Sequence, residues 1–196
     1  MAEATPTMVF VYGTLKRGFP NHPLIAASAC PFAGAASTAA PASLVIGPYA
    51  VPFLLPAPSS SSGRLVSGEL YATSPPALAD LDALEVPASP QWIHLSCPFQ
   101  SQLIAIRLQG THIGLYERRR ITVVADGSGE AVEAEAYFAH PSYAEALWRR
   151  CGGEAAEIAE YTMDHAARYV PPGERIAGAS SLIDAIHSFI DIAPDS

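Results

Sequence analysis

The residues most suggestive of chemistry lie in the segment 9–22, VFVYGTLKRGFPNH, in which a run of β-forming residues ends in a glycine-bracketed loop. Gly13 and Gly18 have the glycine spacing of a phosphate-binding loop, GxxxxGK[ST]. Phe19 and Pro20 stand where that motif needs lysine and a hydroxyl side chain, so a nucleotide site is not supported. Backbone N–H groups at the end of a strand can instead bind a carboxylate. A site for a small acid and a plain strand-to-turn transition both stay open.

The second candidate is the carboxylate of Glu85, at the end of a helix predicted over residues 75–85. Ser74 is a suitable N-cap, two prolines follow in the first turn, and leucines recur at near-helical spacing. A helix C-terminus disfavours negative charge and apolar neighbours desolvate it, so both effects raise the pKa of Glu85. A raised pKa suits a general acid/base at neutral pH. The alternative is a surface glutamate beside Asp80 and Asp82.

The elements that must position these residues are predicted from periodicity and turn residues. Strand-like segments are residues 8–12, 44–46, 51–55, 64–71, 116–124 and 131–139, and the last two are joined by the hairpin turn 126–129. Helical segments are residues 22–28, 75–85, 142–151, 154–168 and 180–191. Strands dominate the middle and helices the end, which predicts an α+β fold and argues against regular parallel βαβ units. Gly68 is predicted to mark a bulge or a close backbone approach.

Composition restricts the functional classes. The chain of 196 residues is long enough for one domain, and 11 Lys+Arg against 19 Asp+Glu give a net charge of -8, which disfavours nucleic acid and anionic membranes as partners. The basic run 118–120 is interpreted as a solvated face. The sequence has no secretory signal pattern and no apolar run near the roughly 20 residues that span a bilayer. Cys30, Cys97 and Cys151 form no metal-like pattern, which predicts reduced thiols in a cytosolic protein.

Four segments, taken together, are similar to a known enzyme family: VFVYGTLKRGFPNH (9–22), SGRLVSGELYA (62–72), LADLDALE (78–85) and YERRRITV (116–123). Their order and character resemble the γ-glutamylcyclotransferase superfamily, specifically its γ-glutamylamine cyclotransferase or AIG2-like branch. The resemblance implies an α+β fold with a small mixed β-barrel flanked by helices. We expect this domain over residues 8–150, followed by a helical C-terminal extension over residues 151–196.

The resemblance also implies an activity. Enzymes of this family release an amine or amino acid from a γ-glutamyl compound as the glutamyl group cyclises to 5-oxoproline, without metal or cofactor. The family's catalytic carboxylate falls on Glu85, and its YxR element falls on Tyr116 and Arg118. The loop whose backbone amides hold the α-carboxylate of the substrate corresponds to Tyr12, Gly13, Thr14 and Leu15. The expected partner is therefore a small γ-glutamyl molecule, with no nucleic acid or membrane, and the oligomeric state stays open.

One segment departs from the family pattern. Residues 86–109 separate Glu85 from the YxR strand, whereas relatives join the two within a few residues. The valine codon at position 86 begins with GT and the glutamine codon at position 109 can end with AG, which are the usual first and last bases of an intron. We therefore hypothesise that the segment is a retained intron or an error in the gene model. Comparison of the transcript with the genomic DNA tests this hypothesis. If the segment is translated, the alternative function is a catalytically silent binding or regulatory protein that keeps the fold.

Other polar residues near the motifs are predicted to have minor roles. Lys16 and Arg17 are expected to be exposed and to attract an anionic substrate at most from long range. His22, His112 and His140 have no partner spacing that supports catalysis, so structural or surface roles are expected for them.

Overall fold

The computed structural model describes residues 6–56, 61–85, 115–175 and 182–192, with backbone alone at residues 80 and 83–85. The predicted α+β class is confirmed in these ranges. The strands are β1 (Thr7–Val11), β2 (Phe32–Thr38), β3 (Ala42–Ile46), β4 (Pro52–Pro56), β5 (Ser67–Thr73), β6 (Tyr116–Ala125) and β7 (Ala131–Ala139). The helices are α1 (His22–Ala27), α2 (Pro75–Glu85), α3 (Pro141–Cys151), α4 (Met163–Ala166) and α5 (Leu182–Asp191), and 3₁₀ turns occupy Pro48–Ala50, Gly153–Ala156 and Pro172–Glu174.

Five strands close into a barrel in the order β1-β5-β2-β6-β7. Neighbouring strands are antiparallel except β1 and β7, which are parallel and paired at Val9 and Glu135. β3 and β4 form a separate antiparallel hairpin. The small mixed β-barrel with flanking helices, predicted from the family resemblance, is therefore confirmed.

The central strand β1 is buried on both faces, which explains its unbroken apolar sequence. Phe10 packs in one cluster with barrel residues such as Leu70 and Ala136. Val9 and Val11 point the other way and join a second cluster that also contains residues of α2, α3 and α5. Because both faces of β1 are covered, the loop that follows it starts from a firmly held strand end.

Gly68 lies where β5 approaches β1 closely, as the sequence predicted. A Cβ atom at this position would lie 2.5 Å from the Val11 carbonyl oxygen and 2.7 Å from the Phe10 ring. The Val11 oxygen belongs to the backbone of β1, so it cannot move aside without distorting the barrel.

Gly68→Ala should therefore lower the free energy of unfolding by about 1–3 kcal/mol, the usual cost of overpacking a core. Urea unfolding followed by circular dichroism measures this change. Gly173→Ala is the matched control, because a Cβ atom on Gly173 would have no neighbour within 4 Å, and we expect a change within about 0.5 kcal/mol. Equal stabilities of the two variants would contradict the close approach at Gly68.

The predicted helix over residues 154–168 is wrong. The segment begins as the 3₁₀ turn Gly153–Ala156, then Ile158 pairs with Leu44 of β3 through an N–H···O bond of 2.9 Å, and only α4 is helical beyond that. The buried carboxylate of Glu157 accepts hydrogen bonds from Ser43 and Trp148. These long-range bonds replace the local bonds of a helix, and neither is visible in the periodicity of the segment.

Three further observations concern the described ranges alone. None of their helices is long and apolar enough to cross a membrane. No group of three or more His, Cys, Asp or Glu residues in them could hold a metal ion. Cys30 is buried and Cys151 is half-buried, and Cys97 lies outside the described residues.

Candidate functional site

A cavity of about 130 Å³ opens where β1 ends. Its walls come from the loop after β1 and from β4, α2, β6, β7 and the C-terminal segments. The lining residues are Val9, Phe10, Val11, Tyr12, Gly13, Thr14, Leu15, Asn21, Leu24, Val51, Pro52, Leu81, Leu115, Tyr116, Tyr137, Tyr169, Pro172, Arg175 and Leu182. The structure thus brings the predicted residues Tyr12, Gly13, Thr14, Leu15 and Tyr116 together, whereas Arg118 is not part of the wall.

In the part of the chain that the structure describes, residues 13–15 form hydrogen bonds through their backbone carbonyl groups and none through their N–H groups. The Gly13 oxygen accepts from Lys16 N at 3.1 Å, the Thr14 oxygen accepts from Asn21 N at 2.9 Å, and the Leu15 oxygen lies 3.1 Å from His22 Nδ1. The N–H groups of Gly13, Thr14 and Leu15 donate to no acceptor within the described ranges. Unpaired donors of consecutive residues at a cavity wall are suited to an anion.

The loop is held in place by close packing and by side-chain hydrogen bonds. A Cβ atom on Gly13 would lie 2.7 Å from Cγ of Pro52 on the neighbouring hairpin. The loop therefore approaches β4 too closely for a side chain at position 13. The Asn21 amide nitrogen donates to Thr14 Oγ1 at 3.0 Å and to the Tyr169 hydroxyl at 3.0 Å. The donors of the loop are therefore preorganised by contacts that do not depend on a ligand.

A chain of hydrogen bonds links the opposite wall to Arg118. The Tyr12 hydroxyl donates to the Tyr137 carbonyl oxygen at 2.7 Å, and the Tyr137 hydroxyl donates to Asp82 Oδ1 at 2.8 Å. Arg118 Nη1 lies 3.1 Å from Asp82 Oδ2. Tyr116 is buried and stacks on Phe53 with the ring centroids 5.6 Å apart. Arg118 thus contacts the cavity indirectly, through Asp82 and the lining residue Tyr137.

Glu85 is the last residue of α2, as predicted, and its side chain lies outside the described part of the structure. Ser74 begins the helix, since its Oγ accepts from Ala77 N at 3.4 Å. Leu81 is buried and lines the cavity. It precedes Glu85 by four residues, the spacing at which helical positions share a face.

The expectation that Lys16 is exposed is wrong. Its side chain is only 5% exposed, its Nζ lies 3.1 Å from Glu160 Oε1, and it sits 4.7 Å from the centroid of the Phe19 ring. Glu160 comes from the segment that was predicted to be helical, so this partner was not foreseeable. Arg17 is exposed as expected and lies over Phe32.

The histidines have structural contacts where they are described. His22 contacts the Leu15 carbonyl oxygen, and His140 accepts from Ser142 N at the start of α3. His112 lies outside the described residues.

Sequence reasoning missed several lining residues: Asn21, Tyr137, Tyr169 and Arg175. Asn21 belongs to the segment 9–22 and follows a proline, so its turn position was a usable signal. Tyr137 lies in the apolar, buried run 136–139 of β7, which predicts burial but not hydrogen bonding. Tyr169 and Arg175 lie beyond the four matching segments, and no motif there indicated a site.

Comparison with known proteins supports the family resemblance. Residues 9–154 match the family described as Gamma-glutamyl cyclotransferase, AIG2-like. A protein of Arabidopsis thaliana, named provisionally as a gamma-glutamylcyclotransferase, is 40% identical over 194 residues, which cover 97% of this chain and 95% of that protein. Human gamma-glutamylaminecyclotransferase is 42% identical over 106 residues, covering 52% of this chain and 61% of the human protein.

A solved structure supports the same assignment. The crystal structure of an AIG2-like protein from mouse has a TM-score of 0.58 and 25% sequence identity, covering 89% of this chain and 97% of the mouse chain. The chain therefore belongs to the gamma-glutamyl cyclotransferase, AIG2-like family. The family resemblance predicted from the sequence is confirmed.

Proposed function

We propose that this chain releases an amine or amino acid from a γ-glutamyl compound with formation of 5-oxoproline. The observation that carries the proposal is the set of unpaired N–H groups at Gly13, Thr14 and Leu15 on the cavity wall, among the described residues. These donors suit the α-carboxylate of a glutamyl group. The names of the Arabidopsis and human relatives support a cyclotransferase reaction.

The reaction needs one nucleophile and one proton carrier. The substrate's own α-amine attacks its γ-carbonyl carbon, forming the ring C–N bond of 5-oxoproline, and the bond from that carbon to the leaving nitrogen breaks. Glu85 takes the proton that the attacking amine loses and returns it to the leaving nitrogen. Because the loop fixes the α-carboxylate, the amine and carbonyl are held in the geometry of a five-membered ring, so positioning supplies a large part of the rate.

The network around Asp82 supports this arrangement. Arg118 forms an ion pair with Asp82, and Asp82 accepts a hydrogen bond from the hydroxyl of the lining residue Tyr137. We propose that Arg118 acts as a positioning residue, while Tyr12 and Tyr116 form the aromatic walls beside the substrate. Asp82 also lies on α2, three residues before Glu85, so the network orients the helix that carries the proposed acid/base.

We propose that the chain divides into a catalytic domain and a C-terminal extension that completes the cavity. The domain over residues 8–150 carries the loop and Glu85, and the extension over residues 151–196 adds Tyr169, Arg175 and Leu182 to the cavity wall. The silent-binder alternative depends on residues 86–109, which follow Glu85 directly in the chain and lie outside the described residues.

The test is 5-oxoproline release from γ-glutamyl-ε-lysine by the purified full chain, run beside a version that lacks residues 86–109. We expect release by the full chain above the rate without enzyme. Release by the shortened version alone would favour the silent alternative for the 196-residue form. No release by either version would contradict the proposed function.

A further inference from the structure

Arg175 is the one charged residue among the described residues that line the cavity. It follows the 3₁₀ turn Pro172–Glu174 and is half-buried. Its Nε donates to the Val170 carbonyl oxygen at 3.1 Å, and its guanidinium carbon lies 5.0 Å from the centroid of the Tyr49 ring and 6.0 Å from that of Tyr169. These contacts hold the guanidinium group beside the rings of Tyr49 and Tyr169.

Among the described residues, these contacts leave the outer edge of the guanidinium group unused. Within the described ranges, Nη1 and Nη2 of Arg175 make no hydrogen bond and no ion pair with a carboxylate. Two parallel N–H donors of this kind match the two oxygens of a carboxylate. A cation beside a largely apolar wall raises the free energy of the folded protein when it has no anionic partner. A bound anion would supply that partner.

The position of Arg175 indicates which carboxylate it binds. The amides of residues 13–15 already supply donors for the α-carboxylate of the glutamyl group. Arg175 is linked to that loop only at a distance, because Tyr169 and Asn21 stand between them: Asn21 bonds both the Tyr169 hydroxyl and Thr14 Oγ1. A second anionic group, on another part of the substrate, would match the donors of Arg175.

We infer that Arg175 binds a carboxylate on the leaving amine, so that the chain selects γ-glutamyl compounds whose leaving group is an amino acid. This inference rests on the proposed function and names the substrate class of the same site. The contact is remote from the reacting carbonyl, so it is made equally in the ground state and the transition state and lowers KM more than it raises kcat.

The test compares two substrates that differ only in this carboxylate: γ-glutamyl-ε-lysine and γ-glutamylcadaverine. Arg175→Gln should lower kcat/KM for the lysine compound by about 10- to 100-fold, the range for losing hydrogen bonds to a charged group. The loss should lie mainly in KM. For the cadaverine compound, kcat/KM should change by less than about threefold. Arg175→Lys keeps the charge but not the paired donors. Its kcat/KM for the lysine compound should therefore lie between that of the unchanged chain and that of Arg175→Gln.

Arg150 offers a matched control. Its Nε donates to the Phe189 carbonyl oxygen at 2.9 Å and its guanidinium carbon lies 5.2 Å from the centroid of the Phe189 ring, but it does not line the cavity. Arg150→Gln should therefore leave the ratio of the two kcat/KM values unchanged. Thermal unfolding of each variant checks that the fold is retained.

The outcomes separate the inference from the proposed function. Release of 5-oxoproline by the unchanged chain establishes the function, and a selective loss with the lysine compound in Arg175→Gln establishes the carboxylate site. An equal loss with both compounds would overturn the inference, because Arg175 would then act on the glutamyl group or on the wall. No loss with either compound would also overturn it, and no release by the unchanged chain would overturn both.

Discussion

Glu85→Gln should lower kcat for 5-oxoproline release by about 10²–10⁴-fold, the usual range for losing a general acid/base. Glutamine has nearly the shape of glutamate but cannot take the proton that the attacking amine must lose. KM should change little, because in the proposed mechanism the α-carboxylate is bound by the backbone amides of residues 13–15 and not by Glu85. Steady-state kinetics with γ-glutamyl-ε-lysine measures both parameters.

The pH profile gives an independent check of the same residue. A general base must be ionised to take a proton, so the rate of the unchanged chain should fall as the pH drops and Glu85 becomes protonated. The residual rate of Glu85→Gln should not show this fall. Glu130→Gln, at an exposed hairpin position, is the matched control. A Glu85→Gln variant that keeps most of its kcat would remove Glu85 from the mechanism.

The largest expected loss of stability comes from a different carboxylate, that of Glu157. It is 5% exposed, and its Oε1 accepts hydrogen bonds from Ser43 Oγ at 2.6 Å, Ser61 Oγ at 2.8 Å and Trp148 Nε1 at 2.8 Å. These donors lie on β3, on the segment before β5 and on α3, so one oxygen atom ties three parts of the fold to the segment after α3.

Glu157→Ala should lower the free energy of unfolding by about 3–5 kcal/mol, because buried donors on Ser43 and Trp148 would lose their acceptor. Urea unfolding measures the loss. Glu154→Ala is the matched control: Glu154 also accepts from a serine, Ser62, but it is exposed, so we expect a change within about 0.5 kcal/mol. Similar losses in both variants would show that the Glu157 bonds are not the cause.

The pH dependence of this contribution has a definite sign. Burial by itself raises the pKa of Glu157, but the hydrogen bonds from Ser43, Trp148 and Ser61, with Arg64 nearby, outweigh it and leave the pKa below 4.5. The ionised group therefore contributes stability above pH 4.5 that is lost as the pH falls through the lower folded pKa. The stability difference between the unchanged chain and Glu157→Gln should narrow in acid, and a constant difference would contradict this assignment.

Local signals in the sequence were sufficient for much of the fold and part of the site. The apolar run of β1, the Ser74 cap of α2 and the turn 126–129 each act within a few residues, so pattern alone predicts them. The residue types predict a loop after β1, but spacing alone leaves a plain turn open. The family resemblance assigns Tyr12, Gly13, Thr14 and Leu15 as the carboxylate-binding loop. The carbonyl groups of residues 13–15 contact Lys16, Asn21 and His22, whereas the N–H groups of residues 13–15 donate to no acceptor within the described ranges.

Long-range contacts account for what the sequence did not reveal. Lys16 was expected to be exposed because lysine usually is, and its burial depends on Glu160, far along the chain. Residues 154–168 have apolar spacing compatible with a helix, but the Ile158 pairing with Leu44 decides their conformation. Arg175 follows no motif, and its significance rests on lining a cavity without a carboxylate partner in the described ranges.

The parallel pairing of β1 with β7 affects how the protein is made. Val9 must pair with Glu135 to close the barrel, and the cavity is complete only when Leu182 has joined its wall. During synthesis, the apolar first strand therefore leaves the ribosome long before its second partner exists. Contacts so distant in sequence make folding slow and leave strand edges open meanwhile. We expect the nascent chain to need protection from aggregation until β7 has been translated.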